Sequence, residues 1–161
     1  MEDDRMRIRL GIDLRVGCCV GALMVALLPR LACAALGEPE SSISGDVQHL
    51  KGSIKSTART NYQVHEIQLP SGTVLREFAA VGGSVFAVTW SGPAIPDLRQ
   101  ALGRYFDVYV TAAQAKQGGH RHLRIEQSEF VMQSSGHMRA FSGRAYLPQA
   151  LPPVTSADEI R

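Results

Sequence analysis

The sequence predicts an α+β domain: an antiparallel sheet of about five strands, one main helix packed on one face, and a short N-terminal helix. Three observations carry that expectation. Between Tyr62 and Trp90, runs rich in β-branched and aromatic residues are separated by Pro70-Ser71-Gly72 and Gly82-Gly83. From Leu98 to Ala113 the apolar residues recur at helical spacing. Two more strand-like runs flank Ser134-Ser135-Gly136.

Residues 1–34 read as a signal peptide. Arg5, Arg7, Arg9 and Arg15 make a basic start, diluted by Glu2, Asp3, Asp4 and Asp13. The apolar run Val16–Leu28 is shorter than the roughly 20 residues a bilayer span needs and fits the apolar region of an export signal. Ala32-Cys33-Ala34 then matches a signal-peptidase site, placing cleavage between Ala34 and Ala35. Translation starts at Met1 or at Met6; the second start removes three of the acids. A retained anchor is opposed by the short apolar run and Arg30, and a lipoprotein by Arg30 standing where a lipobox needs an apolar residue. The expected location is periplasmic or secreted, with no transmembrane segment in the mature chain.

Cleavage removes Cys18, Cys19 and Cys33, all the cysteines of the sequence. The mature chain then has no disulfide, no thiolate nucleophile and no cysteine metal ligand. Its content of 45% hydrophobic and 20% charged residues over the whole chain fits one globular domain. A net charge of +2 and the lack of a basic run interleaved with aromatics argue against nucleic acid as a partner.

Residues 35–60 read as a lead-in with a short helix, since Ile43, Val47, Leu50 and Ile54 fall on one helical face and Ser44 or Asp46 can cap it. Residues 61–148 form the core domain. The first three strands are Tyr62–Leu69, Thr73–Ala80 and Ser84–Trp90, joined by a three-residue loop and by a two-residue Gly82-Gly83 turn. The register this implies sets His65 opposite Glu77, Glu66 opposite Arg76 and Leu75 opposite Trp90. Ile67, Leu69, Leu75, Ala79, Phe86, Val88 and Trp90 then share the core face, with Val85 and Phe78 on the other. One helix is expected from Pro96 to Lys116, stopped by Gly118-Gly119. Strands Leu123–Gln133 and His137–Leu147 follow, and residues 149–161 form an extended tail with a final turn near Ser156–Ile160.

Several stretches resemble a known family. They are Gly83-Ser84-Val85-Phe86-Ala87-Val88-Thr89-Trp90-Ser91-Gly92-Pro93, Leu102-Gly103-Arg104-Tyr105-Phe106, and Phe141-Ser142-Gly143-Arg144-Ala145-Tyr146-Leu147-Pro148. Together they are similar to exported bacterial proteins catalogued as domain of unknown function 2844, over nearly all of the mature chain. The resemblance implies location and extent. It carries over no catalytic residue.

Candidate chemistry is sparse. His65 and Glu77, facing each other on the core face, could act as a general base pair or a pH-sensitive latch, or stabilise one another at the sheet rim. His120 and His122 alternate on a strand and could share a metal ion. A third ligand from His137 is opposed, because one long strand would hold it far from His122. No nucleophile elbow, phosphate loop, dinucleotide fingerprint or paired-cysteine zinc motif occurs, so no cofactor is expected. Trp90, Tyr105, Phe106 and Tyr109 read as core. The expected function is a non-catalytic binding or assembly accessory whose partner is an envelope protein or component, which an exposed strand edge could accept; the alternative is a small-ligand-binding or hydrolytic periplasmic enzyme using His65 and Glu77.

Overall fold

Turn chemistry builds the first half of the sheet. The computed structural model describes residues 36–115, 122–153 and 155–160; the leader, the Ala34–Ala35 bond, His120 and the helix stop at Lys116–Gly119 lie outside the described residues. Strands β1 (Ser53–Ala58), β2 (Tyr62–Gln68), β3 (Val74–Ala80) and β4 (Val85–Gly92) follow one another as antiparallel neighbours. Between β2 and β3 the Leu69 amide donates to the Thr73 carbonyl at 2.9 Å around Pro70-Ser71-Gly72. Gly72 sits at φ +86, a conformation glycine enters without steric cost. His65 opposes Glu77, Glu66 opposes Arg76 and Leu75 opposes Trp90, as the turn chemistry predicts.

The next turn differs from the expectation. The Ala80 amide donates to the Ser84 carbonyl, so the loop is Val81-Gly82-Gly83, one residue longer than a Gly82-Gly83 turn. The slip is absorbed by a bulge: Phe78 pairs with Ala87 but Ala79 pairs with Val85, leaving Phe86 extra on β4. Val85 therefore turns into the helix-side core, and Phe86 joins Phe78 and Tyr62 on the opposite face. Below the bulge the expected register is restored.

The sheet has seven strands, not about five. β1 was read as part of a helical face through Ile54; all six of its residues are exposed and it carries no alternating apolar pattern to mark it. The run Leu123–Gln133 is two strands, β5 (His122–Glu126) and β6 (Val131–His137). The chain reverses at 127–130, where the Gln127 amide donates to the Phe130 carbonyl at 2.9 Å, without a glycine or proline to announce it. The following turn is Met138-Arg139, not Ser134–Gly136, and leads into β7 (Ala140–Tyr146). The full order is β1-β2-β3-β4-β7-β6-β5, so β7 closes the two halves together on β4.

Three helices cover one face. α1 (Ile43–His49) follows a 3-10 turn at Glu40–Ser42. The single helix expected from Pro96 is instead α2 (Leu98–Leu102), a 3-10 turn Gly103–Tyr105, and α3 (Phe106–Ala115). The break falls at Gly103, whose φ of 50 and ψ of −122 leave the helical region. Asp97 is the cap of α2, its carboxylate accepting from the Arg99 and Gln100 amides. Leu98, Ala101 and Leu102 pack with Ile67, Leu75, Val88 and Trp90, while Tyr105, Phe106 and Tyr109 flank that core half-buried. Leu36, fully buried, is tied in by its amide to the Ala101 carbonyl. Among the described residues no helix is long and apolar enough to cross a membrane.

The other face is covered at one end only. Ile160, beyond a 3-10 turn at Ala157–Glu159, packs on Phe78, Phe86 and Ala87. The remainder of that face lies open.

Candidate functional site

His65 and Glu77 stand opposite each other on the helix-side face, but each has its own partners. His65 is 7% exposed; its Nδ1 is 2.8 Å from the Ser56 hydroxyl and its Nε2 is 3.1 Å from Glu40 Oε1. Glu77 is fully buried beside Asp46 of α1, also fully buried. Burial first, then the negative charge of Asp46 and the hydrogen bond between the two carboxyls, hold the Glu77 carboxyl well above the usual carboxylate range. Two ionised carboxylates have no donor to offer each other, and neither Glu77 oxygen meets a donor from another group among the described residues. Both the burial and the neighbouring Asp46 favour the protonated form of Glu77. Gln100 of α2 donates its side-chain amide to Asp46 Oδ1 and ties α2 to the same point. Glu40, Ser56 and Asp46 carried no sequence signal for these roles; Asp46 reads locally as a helix cap.

The histidines near β5 correct a second expectation. Because Leu123–Gln133 folds back on itself, His122 and His137 end up at the same end of the β5–β6 hairpin. Their rings stand edge to face with centroids 6.2 Å apart. The distance argument against His137 fails with the single long strand on which it rested. His120 lies outside the described residues. Among the described residues no group of three or more His, Cys, Asp or Glu side chains is placed to hold a metal.

An open space lies mainly on the helix-free face and reaches α3 at Ala112 and Ala115, and sequence spacing gives no hint of it. Register sets Arg76, Thr89, Arg144, Gln133 and Arg124 in one row running across β3, β4, β7, β6 and β5. One pleat further along the strands, Ser91, Ser142, Ser135 and His122 make a second row. Side chains two apart on a strand share a face, so both rows point away from the helices. The residues between them, Trp90, Gly143, Ser134 and Leu123, turn to the opposite face and leave their backbone as a floor. These rows and this floor, with Ala112 and Ala115 of α3 and with Ile160, border one open trench of about 1020 Å³.

The ladder's side chains hold one another in place. Arg76 Nε donates to Glu66 Oε2 at 2.8 Å, the cross-strand pair expected from the register. Arg144 donates from Nε to Gln133 and from Nη1 to the Ala157 carbonyl, at 3.2 and 2.9 Å. Arg124 is held by Glu126 two residues along its own strand. Thr89, 4% exposed between Arg76 and Arg144 in the row, keeps a hydroxyl with no hydrogen-bond partner among the described residues. Ser135 and Ser142 share a hydrogen bond at 3.0 Å in the second row.

Two of the segments that carry the resemblance noted above prove to be neighbours in space. Ala87 pairs with Tyr146, Val88 with Ala145 and Trp90 with Gly143 along β4 and β7. A family model described as Protein of unknown function (DUF2844) matches residues 32–160. The chain belongs to this family. No curated protein and no solved structure matches it. The membership gives the family's signature residues a packing role in this fold: the Trp90 indole lies so close over Gly143 that a Cβ there would stand 2.1 Å from Cζ2. The same segments also supply Thr89, Ser91, Ser142 and Arg144 to the trench.

Proposed function

We propose that this protein is exported and serves as a non-catalytic binding module of the cell envelope, with the trench on the helix-free face as its binding surface. The leader pattern of residues 1–34 supports the location. The trench carries the binding reading: an open groove, largely apolar in its surface, to which β3, β4, β5, β6 and β7 bring guanidinium and hydroxyl groups and which no carboxylate borders among the described residues. Such groups orient a ligand by hydrogen bonds and charge; they include no activated nucleophile. The test is retention on isolated cell envelopes of the purified protein and of the Arg124→Gln/Arg144→Gln variant. Native protein should be retained and the variant released. Equal retention of the two removes the trench as the binding surface.

A second reading rests on a separate observation. Ser56, His65 and Glu40 form a hydroxyl–imidazole–carboxylate chain beside a groove of about 630 Å³ lined by Ile43, Val47 and Ile54. In a hydrolase the imidazole would take the Ser56 proton while Glu40 steadied the resulting cation. Hydrolysis of a p-nitrophenyl ester that disappears in Ser56→Ala would support it; no hydrolysis by the native protein removes it.

A further inference from the structure

We infer that the trench binds a linear acidic polysaccharide laid across the strands, its carboxylates meeting Arg76, Arg144 and Arg124 in turn. This deepens the reading of the trench as a binding surface and rests on it. The ladder alternates: Arg76 on β3, Arg144 on β7 and Arg124 on β5 occupy every second strand, with Thr89 and Gln133 between them. Neighbouring strands stand about 4.8 Å apart, so successive guanidiniums repeat at roughly 9.5 Å. A small anion would engage one of them. A polymer that presents a carboxylate to the same side at every second sugar would engage all of them, with the neutral Gln133 facing a sugar hydroxyl between Arg144 and Arg124.

Arg144 has neutral partners among the described residues, Gln133 and the Ala157 carbonyl. Glu66 engages Arg76 at Nε alone, and Glu126 engages Arg124 from the same strand. Both carboxylates, with Glu159 of the C-terminal turn beside Arg76, stand outside the trench. Their contacts hold the guanidiniums in place before the ligand arrives, which lowers the ordering cost of binding.

The chemistry of the walls separates the partner classes. Single-stranded nucleic acid is held largely by stacking on aromatic side chains; the guanidinium row contains none, and the second row brings only the His122 ring, which stands edge to face with His137. A protein partner needs an apolar anchor at the centre of the contact; the apolar side chains of the floor, Trp90 and Leu123, are buried on the helix side. Hydroxyl and guanidinium rows suit a hydroxyl-rich, carboxylated chain.

The test is calorimetric titration of the purified protein with polygalacturonate, monomeric galacturonate, dextran and oligothymidylate at low and at high salt. Polygalacturonate should bind, more weakly as salt rises. The monomer should bind far more weakly and dextran not at all. Arg124→Gln, at an exposed side chain, should lower affinity about three- to tenfold, and Arg76→Gln/Arg124→Gln further. Unchanged far-ultraviolet circular dichroism and Trp90 emission establish that the variants are folded. Oligothymidylate binding as tight as polygalacturonate, indifference to the arginine substitutions, or no polygalacturonate binding at low salt each overturns the inference. If polygalacturonate fails while envelopes still retain the native protein through Arg124 and Arg144, only the ligand class falls. If envelope retention is also indifferent to those residues, the binding-module reading falls with it.

Discussion

Replacing Gly143 by alanine tests how the two family signatures are packed. The added Cβ would stand 2.1 Å from Trp90 Cζ2, 2.6 Å from Cε2 and 2.8 Å from Cη2. Carbon atoms in contact prefer about 3.5–4.0 Å, so the indole must retreat by roughly 1.5 Å. Trp90 is 3% exposed and packed within the helix-side core, leaving it little room to move. Overpacking of this kind costs about 1–3 kcal/mol, and losing the packing of a core tryptophan about 3–5 kcal/mol. We expect Gly143→Ala to lose about 3 kcal/mol. With a urea slope of about 1.5 kcal/mol per molar, the midpoint falls by about 2 M. Trp90 is the sole tryptophan of the chain, so its emission reports this contact directly and should shift to the red. The three close atoms belong to the benzo half of the indole. In a Trp90→Leu background that half is gone, and the same Gly143→Ala change should cost less than about 1 kcal/mol. An equal loss in both backgrounds, or a loss below 1 kcal/mol with Trp90 present, would refute the packing argument.

Glu77→Gln tests the protonated form of Glu77. The folded chain keeps a proton that the unfolded chain releases near the ordinary glutamate range, so stability falls as pH rises from that range up to the raised folded value. The variant should melt above the native protein at neutral pH, with the gap closing as pH approaches 4; a lower melting temperature at neutral pH would show that the ionised pair is favourable. Asp97→Ala removes the cap that accepts from two amides of α2 and should cost about 1 kcal/mol in chemical denaturation. His65→Ala, lying on the opposite face from the trench, should leave envelope retention unchanged; release of that variant while it remains folded would move the binding surface to the α1–β1 groove.

What could be read in the chain was read where the instructions are local. The Pro70-Ser71-Gly72 loop set the β2–β3 register, and with it the His65–Glu77 and Glu66–Arg76 positions. The Gly82-Gly83 turn was misjudged by one residue, yet the β3–β4 register held because Phe86 bulges out and cancels the slip. β1 was hidden because an exposed strand has no core face to impose alternation. The reversal at 127–130 was hidden because it uses no glycine or proline, and with it went the meeting of His122 and His137.

The sequence by itself determined the α+β class, the family and the Pro70-Ser71-Gly72 turn, since periodicity and turn residues act over a few neighbouring positions. Only the tertiary structure decided the sites. Arg76, Arg144 and Arg124 form a row because β7 pairs with β4 and β5 lies beyond β6, a consequence of long-range strand order. The Glu77 carboxyl is held above its ordinary range because Asp46 of α1 and Glu77 of β3 are buried together. Burial and strand order depend on the whole chain at once, and no short window of residues contains them.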